Sequence, residues 1–174
     1  MELFSAAGYE FILRWIHFLS GIAWIGLLYY FNFIQVPFLA VAEGGTKTDV
    51  TTKMAPKSLW WFRWAAMVTM IAGLLIYTQR LMLMGGEQFY SSSYGISISI
   101  GGTLGLIMWF NVWFIIWPNQ KVIIATTQAA AAKGKAPEGL GNRPRVAFLA
   151  SRTNTMLSIP MLFFMAAASH MPWG

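Results

Sequence analysis

The stretch FILRWIHFLSGIAWIGLLYYFNF, residues 11–33, decides the fold class. About 20 apolar residues in a helix cross the roughly 30 Å of hydrocarbon in a bilayer. This stretch is long enough, and Arg14 and His17 are its only ionisable side chains apart from tyrosine. The whole chain agrees: 57% of residues are hydrophobic, 16% aromatic and 10% charged, and the mean hydropathy is +0.55. Soluble domains carry about 25% charged residues, so the composition is that of a membrane protein.

Working outward, four apolar stretches emerge at about residues 11–39, 59–84, 96–117 and 147–170, separated by polar or Gly/Pro-rich segments. The expectation is one all-α domain over residues 1–174, a polytopic bundle of four transmembrane helices. The first apolar stretch outruns a signal-peptide core and has no basic residue before it, so it is expected to remain as a span. An even count puts both termini on one side. Of the twelve Lys and Arg residues, only Arg14 and Arg80 fall on that side, and the other ten crowd the first and third connections or the span starts that follow them. The positive-inside bias then makes both termini external, or periplasmic. The net charge of +6 comes without a long basic run, so it reads as topology and not as a nucleic-acid surface.

Local patterns refine this outline. The third connection, KVIIATTQAAAAKGKAPEGLGNRPR, begins as an alanine-rich helix and ends as a Gly/Pro-rich linker. GGTLG sets Gly101 and Gly105 in a G-x-x-x-G spacing that lets another helix approach the third span. Pro160 is expected to kink the fourth span and Pro37 to end or bend the first. The clusters LWWFRW and MWFNVWFIIWP suit the membrane interface. Asn32, Gln35, Asn111, Thr153, Asn154, Thr155 and Ser158 read as interhelical hydrogen-bonding groups.

Candidate chemistry centres on the two histidines. No cysteine is present, which excludes disulfides, thiolate metal sites and covalent c-type haem within these residues. No carboxylate lies deep in a span, and there is no Walker A, H-E-x-x-H or G-x-S-x-G motif. His17 comes early in the first span and His170 ends the fourth, so four crossings bring them to the same external level, within about one turn by helical rise. Two imidazoles on facing helices can ligate a b-type haem. Gly21 shares the helical face of His17 and would make room for a macrocycle, while Arg14 and then Arg80 and Gln79 are the candidates to meet a propionate. Copper is the alternative, with Met82, Met84 and Met171 nearby as soft ligands. A headgroup-bonded histidine and a snorkelling arginine would need no ligand at all.

Four segments, WIHFLSGIAWIGLLYYFNFIQVPF, NVWFIIWPNQKVI, SRTNTMLSIPMLFFM and the terminal SHMPW, together resemble the membrane domain of the bacterial membrane-bound urate oxidases, or urate hydroxylases. The resemblance implies a multi-pass protein of the bacterial inner membrane. Its members join such a domain to an external c-type cytochrome domain and are associated with oxidation of urate to 5-hydroxyisourate, electrons leaving through the cytochrome. It also implies that His17 and His170 occupy motif positions, with Arg14, Trp24, Asn111, Trp113, Arg152 and Asn154 around them. With no cysteine here, the cytochrome would be a separate periplasmic c-type partner. Two functional classes follow: a haem-bearing electron-transfer unit or oxidoreductase, and a non-catalytic accessory subunit of a larger respiratory or photosynthetic membrane complex. A transporter is a third class, with neither a repeat nor a midplane charge to support it.

Overall fold

Alternation of face along each helix explains the architecture. On the first helix Leu13, Trp24, Leu28 and Asn32 turn inward, whereas Phe11, Trp15, Phe18 and Ile22 point out. The buried polar groups, Asn32, Thr69, Ser97, Thr127, Asn154 and Ser158, sit among small and apolar residues while large aromatic side chains cover the outside. A protein in water would bury that aromatic area; in lipid tails it costs nothing to expose it, and packing and interhelical hydrogen bonds hold the bundle instead.

The computed structural model describes residues 5–171, among which every regular element is helical. They are α1 (Ala6–Tyr29), α2 (Val36–Val41), α3 (Gly44–Asp49), α4 (Ala55–Met84), α5 (Gly86–Ser91), α6 (Ser93–Phe110), α7 (Trp117–Ala131) and α8 (Arg143–His170). Three π-helical turns, Tyr30–Gln35, Val50–Met54 and Asn111–Ile116, weld these pieces into longer rods. The rods Gly8–Val41, Gly44–Met84 and Ser93–Ala131 are each long and apolar enough to cross a membrane, and the chain is a multi-pass membrane protein. The 28-residue α8 packs beside them on α6, with its hydropathy reduced by the polar run Ser151, Arg152, Thr153, Asn154 and Thr155. α1 lies antiparallel on α4, and α6 antiparallel on α8.

The rods differ from the sequence expectation at one end. At about 1.5 Å per residue, 34 to 41 residues measure roughly 50–60 Å, well beyond the hydrocarbon. Residues 44–58 and 118–131, expected to lie in connections, are largely helical extensions of the second and third rods. Proline is the reason the sequence reads as broken there. Pro37, Pro56 and Pro118 each fall at the start of the helix that follows a π turn. Proline has no N–H and its ring crowds the carbonyl four residues back. Just before each one the backbone widens to an i−5 bond: Val36 N–H to Phe31 O, Ala55 N–H to Val50 O, and Trp117 N–H to Val112 O. The carbonyl released by Pro56, that of Thr52, accepts the Gln128 amide from α7 at 3.3 Å. Pro37 therefore interrupts the α-helical ladder without ending the rod, and α8 runs through Pro160 unbroken.

Candidate functional site

His17 is built into the contact between α1 and α4. Its Nδ1 lies 2.9 Å from the backbone carbonyl of Thr69, which can only accept, so Nδ1 carries the proton and Nε2 the lone pair. Beside this bond Gly73 leaves a gap that the imidazole fills: a Cβ there would come 2.9 Å from Cε1 and 3.2 Å from Nδ1. The Thr69 hydroxyl reaches the Ser20 hydroxyl at 2.8 Å and the Ala65 carbonyl at 2.8 Å, tying the two helices one turn further along. Gly21, placed by its sequence beside a macrocycle, faces the Thr69 methyl, at 3.9 Å from where its Cβ would be.

His170 has a different setting. It is exposed in the last turn of α8, and its Nδ1 lies 3.0 Å from the Ala166 carbonyl of its own helix, so Nδ1 again carries a proton. Depth follows from a contact further in. Ser158 donates to the Thr155 carbonyl at 2.7 Å, so the Tyr29 hydroxyl donates to Ser158 at 2.9 Å. His17 lies twelve residues before Tyr29 and His170 twelve after Ser158, about 18 Å toward the same end along each helix. The two imidazoles thus share a level, while His17 turns to α4 and His170 stays at the rim.

The two arginines meet on a residue the sequence reading did not single out. Glu10 Oε1 accepts Arg14 at 2.7 Å and Arg80 at 2.5 and 3.0 Å, with the carboxylate side chain only 13% exposed. Arg80 also stands 5.9 Å from the Tyr94 ring, joining α1, α4 and the start of α6. Glu10 precedes Arg14 by four residues, the spacing at which helix side chains pair; that spacing was the available signal. Two guanidiniums on one carboxylate leave one net positive charge. Gln79 keeps its Oε1 buried without a partner, and Met82 and Met171 are exposed.

Deeper in the bundle the polar residues form structural pairs. Asn111 donates to the Asn154 side chain at 2.8 Å, and Asn154 donates to the Met108 carbonyl at 2.9 Å. Asn32 donates to the Leu28 carbonyl and to Ser151 at 2.9 and 2.8 Å. Trp24 lies in the core, Trp113 packs edge-on to Trp64 at 5.5 Å, and the Arg63 guanidinium covers the Trp117 ring at 3.8 Å. Arg152 lies 5.4 Å from the Phe148 ring. Among the described residues no three His, Asp or Glu side chains gather as a metal cluster.

Residues 80–174, more than half of the chain, match the family described as urate oxidase N-terminal. The chain belongs to that urate oxidase N-terminal family. The matched portion contains Arg80, Asn111, Trp113, Arg152, Asn154 and His170, whereas Arg14, His17, Gly21 and Trp24 precede it. Pro172 and Trp173 of the SHMPW motif fall within the match but outside the described residues. No curated protein and no solved structure matches the chain.

Proposed function

We propose that this member of the urate oxidase N-terminal family is a four-span redox unit of the bacterial inner membrane, with both termini external, that binds haem b and passes electrons to a periplasmic c-type cytochrome. The observation that carries the reading is the fixed imidazole of His17. An Nδ1–H held by a backbone carbonyl is the usual second contact of a metal-ligating histidine, since it orients the ring and strengthens Nε2 as a donor. His170 repeats the Nδ1–carbonyl contact at the same depth on another helix.

The residues fit haem b in number and kind. A haem needs only two axial protein ligands, which His17 and His170 supply; a compact copper site would have to recruit methionines, and Met82 and Met171 face outward. Arg14 and Arg80 carry one positive charge in excess over Glu10, which would favour a propionate there. When bound, the haem supplies one-electron exchange near the external face. The protein's part is to hold Nε2 of His17 rigidly, neutralise the propionate edge, and keep the inner half of the bundle closed with the Asn111–Asn154 and Tyr29–Ser158 contacts. Urate is the substrate class the family membership favours. The ten-to-two distribution of basic residues supports the external placement of this end.

The test is a reduced-minus-oxidised absorption spectrum of gently purified protein beside His17→Ala and His170→Ala. A low-spin b-type signal lost in both variants, and reduced by added urate in the parent, is the expected result. A featureless spectrum, with metal analysis also blank, sinks the proposal and turns attention to an accessory role in a larger membrane complex.

A further inference from the structure

A carbonyl inside a helix is already bonded to the N–H four residues on, and its second lone pair is normally screened by the side chains that follow at three and four positions. The Thr69 carbonyl is open to another helix because position 73 is glycine and position 72 is alanine. Other glycines in the spans do not do this: Gly26, Gly102 and Gly105 face open space, and Gly101 meets the backbone of α8. Gly73 alone among these has its missing side chain replaced by an imidazole ring.

We propose that the Thr69 carbonyl and Gly73 form a positioning notch on α4 that selects the Nδ1–H tautomer of His17 and so makes Nε2 its metal-binding atom. Gly73 is a positioning residue: it acts only through His17. The tautomer half stands on the geometry of the chain alone; the metal half rests on the haem reading above. A Cβ at position 73 forces the ring off the carbonyl, because 2.9 Å to Cε1 lies far inside van der Waals contact and the side chain is the part free to move. Without the carbonyl the imidazole samples both tautomers, and Nε2 is protonated part of the time and unable to ligate.

With only two histidines in the chain, nitrogen NMR of ¹⁵N-histidine-labelled protein in lipid nanodiscs resolves both rings, and His170→Ala assigns them. The sample is chemically reduced, so that any low-spin haem is diamagnetic. The expected result is a protonated Nδ1 and an unprotonated Nε2 for His17. Gly73→Ala should mix the tautomers and weaken haem retention about 10- to 100-fold, whereas Gly105→Ala should change neither. Thr69→Val, which keeps the carbonyl and removes only the hydroxyl, should preserve the His17 tautomer. A protonated Nε2 in the parent overturns the notch, as does a Gly73→Ala spectrum identical to the parent's. If Gly73→Ala does not fold, the parent and Thr69→Val spectra still decide. A parent that holds no haem but shows the Nδ1–H tautomer would defeat the haem reading and leave the notch standing.

Discussion

The α1–α4 and α6–α8 pairs are both antiparallel, but different chemistry joins them. Between α1 and α4 the contacts are side chains reaching across: Glu10 to Arg80, His17 to the Thr69 carbonyl, and Thr69 to Ser20. Between α6 and α8 the backbones themselves approach. A Cβ on Gly101 would stand 3.3 Å from the Met165 nitrogen and 3.3 Å from Phe164 Cβ, and a fully buried Asn154 closes the contact with one bond to Asn111 and one to the Met108 carbonyl. The first pair keeps titratable groups, Glu10, Arg14, His17 and Arg80, toward one end; the second is a frame.

That contrast can be broken most sharply at Asn154. Replacement by leucine leaves the Asn111 amide without its partner and the Met108 carbonyl with its backbone bond alone, around a side chain of zero exposure, and should cost about 2–3 kcal/mol. Unfolding of the variant in mixed micelles measures it; a loss under about 0.5 kcal/mol would mean that the amides are not the lock of the frame. Gly101→Ala comes next, at about 1–2 kcal/mol, because its new methyl presses on α8 backbone that cannot rotate away. Gly105→Ala, four residues on and facing open space, should stay within about 0.5 kcal/mol of the parent in the same assay. Equal losses at the two glycines would erase the asymmetry within the G-x-x-x-G motif.

A smaller loss than at Asn154 or Gly101 is expected in the other pair. Glu10→Gln removes the shared carboxylate, but both arginine side chains are more than a third exposed, at 41% and 35%, so screening limits the global loss to about 1 kcal/mol or less. Hydrogen exchange should nevertheless rise in the first turns of α1 and the last turns of α4, with α6 and α8 unchanged. Increased exchange spread evenly over all four helices would show that the pairs are not separable.

Much of this was legible in residues 11–33 and their three counterparts. Four long apolar stretches, ten basic residues crowding the first and third connections or the span starts that follow them, and polar residues such as Asn154 and Ser158 in the last helix foretold an all-helical membrane chain with interhelical hydrogen bonds. Gly101 behaves as its spacing suggested, while Gly105 does not, because the motif specifies a face of the helix and not which of its residues the neighbour crosses. The extended rods were hidden by Pro56 and Pro118, whose usual meaning as breaks is overridden by the π turn before each.

The candidate site divides along the same line. By itself the sequence determined which groups could act: two histidines, two arginines near them, no thiol and no acid deep in a span. Partner choice was left to the tertiary structure, which gave Glu10 to both arginines, the Thr69 carbonyl to His17, and Gly73 rather than Gly21 to the imidazole ring. The physical reason is that periodicity assigns a side chain to a face, whereas a hydrogen bond to a backbone carbonyl depends on the register of two packed helices. A carbonyl has no letter in the sequence.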